Sequence, residues 1–193
     1  MDLASLQQQL QQGRSAPLES WHPPFCGEIP IRIDRDGQWF YQQSPMGRIE
    51  LVKLFSSVLQ RKNDQYVLTT PVEEVAIQVD DAPFLLTDWQ WQDSDAGPVL
   101  QMSTNLGAEY LISTEYPIQL QAEPASGLWL PYLQLARNLT AKMSRAVFYQ
   151  LADQATVQLI AGQNHFVLQS GRYAFSLGLA EGGIPLATAI ESV

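Results

Sequence analysis

Between residues 75 and 122 the chain breaks into five short apolar runs fenced by turn residues, and no other feature constrains its fold as strongly. The runs span 75–79, 84–91, 99–103, 109–113 and 118–122. Asp-Asp-Ala-Pro, Asp-Ser-Asp-Ala-Gly-Pro, Thr-Asn-Leu-Gly and Thr-Glu-Tyr-Pro separate them. Glycine supplies positive φ, proline interrupts a ladder, and Asp or Asn bonds its own backbone, so each separator is a turn signal. Short strands at even spacing predict an antiparallel meander or a small barrel.

The flanks mix strands with helices. Ile29, Ile31 and Ile33 alternate with Pro30 and Arg32, a period-two strand pattern. Asp36-Gly37 marks a turn, with Trp39, Phe40 and Tyr41 returning. Ser44-Pro45 has the form of a helix start, serine at the cap and proline at the first position. Ile49, Leu51, Val52, Phe55, Val58 and Leu59 then predict a helix over 45–61 with one apolar face. Leu135, Leu139, Met143, Val147 and Leu151 fall at steps of four after Pro131 and predict a second helix over 131–153. Further strands are expected at 66–69, 156–160, 165–169 and 173–177. Leu3, Leu6 and Leu10 predict a short helix over 2–12, followed by a Pro- and Ser-rich linker. The tail from Gly182 has no clear period and is expected to be loosely attached.

The fold class is therefore α+β, with antiparallel sheets. Gly37-Gln38-Trp39-Phe40 matches Gly127-Leu128-Trp129-Leu130, Met46-Gly47-Arg48 matches Met143-Ser144-Arg145, and Tyr66-Val67-Leu68 matches Phe166-Val167-Leu168. The matches keep their order, as an internal duplication would. The expected organisation is an N-terminal helix and linker over 1–20, one domain over 21–75 and a second over 76–193, each domain with one main helix. A cleft between two similar halves is a common place for a ligand.

Composition narrows the partners. The formal net charge is −9, from 11 basic and 20 acidic residues, with no basic stripe. Nucleic-acid binding relies on lysines and arginines that displace counterions, so it is not expected. No window approaches the roughly 18 apolar residues of a membrane span. The single cysteine, Cys26, excludes an intrachain disulfide framework. The N-terminus lacks a secretory signal, and the expectation is a reduced, cytoplasmic protein.

Few residues carry a chemical motif. His22 and Cys26 offer two metal ligands where structural zinc takes four, so no metal and no cofactor are expected. Asp34, Asp36 and Gly37 fit a hairpin turn better than a calcium loop, which needs further ligands. Cys26 with His165 would be a dyad only if the fold joined them, and no nucleophile elbow is present. Glu73, Glu74, Asp80 and Asp81 flank the strand at 75–79, the two pairs roughly 20 Å apart along an extended chain. The arginines stand out. Arg48 and Arg145 occupy equivalent places in the two repeats, and a helix over 131–153 would put Arg137 on the same face as Arg145. Each could bind a carboxylate or phosphate through its planar fork, or pair structurally with an acid such as Glu73 or Asp81. Thr104 and Asn105, in a turn, could add polar contacts. Trp39 and the other tryptophans could stack on a base or fill the core.

Taken together, Asp36-Gly37-Gln38-Trp39, Ser44-Pro45-Met46-Gly47-Arg48, Leu51-Val52-Lys53-Leu54-Phe55-Ser56, Thr70-Pro71-Val72-Glu73, Val79-Asp80-Asp81-Ala82-Pro83-Phe84, Thr104-Asn105, Pro131-Tyr132 and Arg137 to Arg145 resemble, in that order, an uncharacterised proteobacterial family catalogued as a domain of unknown function. The resemblance covers roughly residues 21 to 155. Gln43 and Met46 depart from it, where a glycine and a β-branched residue are expected. It implies two related β-rich domains, the second superficially similar to pleckstrin-homology folds. It also implies a nucleotide-like ligand at the domain interface and a role in signalling, with no established activity.

The expectation is a binding or sensory module for a small anionic, nucleotide-like ligand, held by Arg48, Arg137, Arg145, Thr104, Asn105 and Trp39. Two alternatives stand beside it: a protein-interaction module with a protein partner and no ligand, and an enzyme using Glu73, Asp80 and Asp81.

Overall fold

The computed structural model describes residues 18–180. The expected helix over 2–12 and the tail from Gly182 lie outside the described residues. The chain divides into two compact units, one of residues 18–83 with 136–139, the other of 84–135 with 140–180.

The first unit holds β1 (Phe25–Ile33), β2 (Trp39–Tyr41), β3 (Ser44–Pro45), the helix α1 (Ile49–Ser56), β4 (Leu59–Lys62), β5 (Gln65–Thr69) and β6 (Glu74–Val79). They form one six-stranded sheet in the order β3-β2-β1-β6-β5-β4. Every pairing is antiparallel except the central one, β1 with β6, which is parallel. Parallel neighbours need a crossover, and α1 lies within it. Ile29, Ile31 and Ile33 are buried, while Pro30 and Arg32 face out, as a period of two requires. Pro30 lacks an N–H, and it falls between Glu28 and Arg32, where the β1–β6 register shifts. Leu51, Val52 and Phe55 form the buried face of α1.

The helix is shorter than the expected 45–61. Gln42 and Gln43 adopt φ of 48° and 67° and turn the chain sharply after Tyr41. Ser44 and Pro45 then pair with Tyr41 and Phe40 as β3 instead of starting the helix. Arg48 takes the cap position, and its carbonyl accepts from Leu51 and Val52. At the far end Leu59 belongs to β4.

The second unit holds β7 (Phe84–Gln92), β8 (Val99–Thr104), β9 (Glu109–Leu111), β10 (Ile118–Ala122), β11 (Trp129–Gln134), β12 (Thr140–Met143), the helix α2 (Arg145–Ala152), β13 (Thr156–Ile160), β14 (Gln163–Ser170) and β15 (Tyr173–Leu179). One sheet runs β10-β11-β12-β7-β8-β9 and the other β13-β14-β15. β7 and β12 pair in parallel, the other neighbours antiparallel. Leu86, Met102, Leu133, Leu151, Phe175 and Leu177 anchor the core, each fully buried. Two hydroxyls tie this core together. Ser170 Oγ accepts from Leu100 N at 2.9 Å and donates to Ile112 O at 2.6 Å. Tyr173 Oη accepts from Ile118 N at 3.1 Å and donates to Ile118 O at 3.2 Å. Burial raises the Tyr173 phenol above its ordinary value. Trp89 and Trp91, two apart on β7, donate to Gln150 and Gln154, four apart from one another.

The helix expected over 131–153 is corrected to β11, β12 and the eight-residue α2. Of the five aliphatic residues at four-residue steps, Leu135 and Leu139 lie in the connection between β11 and β12, Met143 ends β12, and only Val147 and Leu151 share a buried helical face. Arg137 and Asn138 hold φ of 63° and 57°, which breaks the chain between the two strands. Arg137 and Arg145 therefore share no helix face. Pro131 lies in the part of β11 that pairs with β10 and precedes the β12 ladder, which begins at Tyr132.

The boundary between the units falls after Pro83 and not after residue 75. The reason is β6, which belongs at the centre of the first sheet. The repeated matches sit in a repeated order of elements. β1-β2-β3, α1, β4-β5-β6 is followed later by β10-β11-β12, α2, β13-β14-β15, with eight residues in each helix. Trp39 and Trp129 each open the second strand of their set.

Candidate functional site

The outer face of the first sheet carries an open recess of about 710 Å³. Three strands and one turn build it. β1 contributes Glu28, Pro30 and Arg32, β2 contributes Phe40, and β6 contributes Ala76 and Gln78. Gln42 and Gln43 come from the β2–β3 turn. Two-residue hairpins with positive φ at both positions normally take Asn-Gly, because side chains crowd the backbone there. This chain places two long amides instead. The Gln42 N–H donates to Pro30 O at 2.9 Å and fixes the turn beside β1.

The one cation in the lining is already engaged. Arg32 Nε donates to Asp80 Oδ1 at 3.0 Å, and its Nη2 donates to Asp80 Oδ2. Gln78 Nε2 donates to Asp80 Oδ1 at 3.1 Å. The Arg32 guanidinium lies 5.9 Å from the centre of the Phe40 ring. Hydrogen bonding from Arg32 holds the Asp80 carboxyl below its ordinary value, and the same bond raises the Arg32 guanidinium. Glu28 adds a carboxylate to the lining. The recess is thus an aromatic face, three amides and a neutralised arginine, with no excess of positive charge.

The residues expected to bind ligand divide between the units, Trp39, Arg48 and Arg137 in the first and Thr104, Asn105 and Arg145 in the second. Arg48 is exposed at the cap of α1, and Arg145 is exposed in the first turn of α2. Arg137 Nη1 donates to Ser57 O at 2.6 Å within the first unit, and Asn138 Nδ2 donates to Arg61 O at 3.3 Å. Thr104 is buried, and its Oγ1 accepts from Ala108 N at 3.1 Å inside the β8–β9 turn. Asn105 Oδ1 accepts from Leu85 N at 3.1 Å, and Asn105 N donates to Leu85 O at 2.8 Å, which fastens that turn to β7. Trp39 is 2% exposed and pairs with Ile33, and its indole N–H has no partner.

The acids around β6 lie at its two ends. Glu73 O accepts from Thr70 N and Thr70 Oγ1, and Asp81 O accepts from Tyr66 Oη at 3.5 Å. Their neighbours carry side-chain ion pairs, Glu74 with Lys62 at 2.5 Å and Asp80 with Arg32. Glu74 Oε2 also accepts from Thr69 Oγ1 at 2.8 Å. Among the described residues no cluster of three His, Cys, Asp or Glu could hold a metal ion. Among them, too, no helix is long and apolar enough to cross a membrane.

Arg32 and Glu28 were legible as outward-facing from the alternation of β1. Gln43 was legible as a departure from an expected glycine. The contribution of Gln78 depends on the parallel pairing of β1 with β6, which no local pattern announces.

Fold and recess together define a two-unit, β-rich protein with a polar concavity on its first sheet. The chain belongs to the DUF1285 family, a family of unknown function. Residues 16–82 match its N-terminal domain and residues 83–177 its C-terminal domain. A DUF1285 family protein from Silicibacter pomeroyi DSS-3 is 37% identical, with a TM-score of 0.74 over 89% of this chain and 95% of that one. A second, from Shewanella baltica OS155, is 29% identical, with a TM-score of 0.53 over 66% of this chain and 94% of that one. No curated protein matches the chain.

Proposed function

We propose that the protein is a recognition module whose first unit takes up a small polar ligand with a flat face. The recess over β2, β1 and β6 is the observation that carries this reading. Phe40 offers a ring face, and Gln42, Gln43 and Gln78 each offer a donor and an acceptor. Such a lining suits a planar heterocycle with hydrogen-bonding edges, as in a nucleobase. It offers little to a phosphate, because Asp80 already neutralises Arg32. A nucleotide-like ligand would be held there by its base.

The enzyme reading has less support. Of its three acids, Glu73, Asp80 and Asp81, the middle one already holds Arg32, and a carboxyl kept below its ordinary value by a guanidinium is a weak base at neutral pH.

The test is calorimetric titration with free bases, nucleosides and nucleotides, on the wild type and on Phe40→Ala and Gln78→Ala. Saturable binding of the base-bearing compounds, weakened in both variants, is expected. No binding of any planar heterocycle, or equal binding by correctly folded variants, refutes the reading.

A further inference from the structure

We propose that the edge of β13, which no described strand pairs, pairs with β13 of a second copy of this chain. The β13 strand has the sequence Thr-Val-Gln-Leu-Ile and lies at the edge of its three-stranded sheet. Its first four residues are exposed, with Val157 at 56% and Leu159 at 73%. Exposed edges are ordinarily blunted by lysine, proline, a bulge or a covering segment. This strand contains no charge, no proline and no glycine, and its ladder with β14 is regular.

The other edge strand that follows a helix shows what such protection looks like. In the first unit β4 ends in Arg61 and Lys62, and residues 136–139 lie along it. The Asn138 amide donates to Arg61 O, an outward carbonyl of that edge. Counted from their two-residue turns, Lys62 pairs with Gln65 and Ile160 with Gln163, so Arg61 corresponds to Leu159. The carbonyl that is satisfied on β4 therefore has its counterpart on the β13 edge, where no strand among the described residues pairs.

The ladder fixes the register of the second copy. Residues flanking a two-residue hairpin turn exchange both backbone bonds, and bonded and non-bonded pairs then alternate. Ile160, Gln158 and Thr156 thus bond inward to β14, while the N–H and C=O groups of Val157 and Leu159 point out. Antiparallel pairing about a twofold axis at Gln158 sets Val157 opposite Leu159 of the second copy, and Leu159 opposite its Val157. This register uses every outward backbone group. It also lays the four exposed aliphatic side chains on one face as cross-strand pairs. The interface is isologous, so it closes as a dimer and does not propagate. One five-residue edge buries less than the roughly 1,200 Å² of a standard interface, so the dimer is concentration-dependent.

Sedimentation velocity over a concentration series, on the full chain, tests the assignment. The wild type is expected to shift from monomer to dimer, and Leu159→Lys to stay monomeric with an unchanged Tm. Non-hydrogen-bonded antiparallel partners sit about 4.5 Å apart at Cα, within disulfide reach. In a Cys26→Ser background, Gln158→Cys is therefore expected to oxidise to a covalent dimer, and Thr156→Cys is not. A monomer at every concentration with no Gln158→Cys cross-link overturns the proposal, as does a dimer that survives Leu159→Lys. A monomer that Leu159→Lys destabilises would put a segment of the same chain on this edge and also overturn it.

Discussion

Replacing Gln43 by glycine tests the strain of the β2–β3 turn and its place in the recess at once. Gln43 holds a φ of 67° with a full side chain. That conformation costs an L-residue about 1–2 kcal/mol, because its Cβ crowds the following carbonyl oxygen. Glycine removes the clash but loses more backbone freedom on folding, about 0.5–1 kcal/mol. The midpoints of those two ranges leave Gln43→Gly more stable by about 0.75 kcal/mol. For a chain of this size that is about 1–4 °C in Tm, and more if the first unit melts alone. Asp64→Gly is the control. Asp64 occupies a turn of the same kind between β4 and β5, with a φ of 64°. Aspartate tolerates that region better than glutamine, and the substitution also removes the exposed Arg61–Asp64 pair. A smaller gain is expected there. Scanning calorimetry reads both variants. A Tm for Gln43→Gly at or below wild type, or no larger a gain than Asp64→Gly gives, would refute the strain argument. The second readout is the titration with base-bearing compounds. Gln43→Gly is expected to bind more weakly while melting higher, because it deletes one amide from the lining. A more stable variant that binds as the wild type does would place Gln43 outside the site.

Three further outcomes follow from the packing. Phe55→Ala empties a fully buried position on α1 and should cost about 3–5 kcal/mol by urea unfolding. Ser170→Ala strips a buried hydroxyl from Leu100 N and Ile112 O, and each group left unsatisfied costs about 1–3 kcal/mol, read in the same assay. His165 is buried, with Nδ1 2.9 Å from Ser176 Oγ, and burial lowers its pKa below 6.5. The unfolded chain therefore takes up the proton first, so this contribution to stability is complete above about pH 6.5 and falls as the pH drops towards the folded-state pKa. Melting curves against pH should show that loss in the wild type and a smaller one in His165→Gln.

The strands between residues 75 and 122 were legible because each run is closed by its own turn chemistry, and turn chemistry is local. The helix lengths were not. In 131–153 the four-residue series crosses a turn, with Leu135 and Leu139 outside both strands, so its helical spacing was fortuitous there and the choice was made by pairing partners far along the chain. Phe84, Leu85 and Leu86 supply that pairing for Ala141, Lys142 and Met143. At 45–61 the helix lost its first turn to a hairpin built on two glutamines with positive φ, a conformation their identity does not advertise.

β6 joins these observations. As an apolar strand between two acidic pairs it was recognisable, yet its position beside β1 was not. That position sets the unit boundary at Pro83 and brings Gln78 and Asp80 to Arg32. A slip of one residue in the β1–β6 register would turn Ala76 and Gln78 to the opposite face of the sheet. Asp80 would lose Arg32, and the recess would lose its far wall. The Arg32–Asp80 pair, formed just past the end of β6, therefore works as a register pin. Asp80→Asn keeps the shape and removes the charge, so it should weaken that pin. Faster amide exchange along β6 than along β5 is the expected sign, and equal protection of the two strands in the variant would leave the pin without a role.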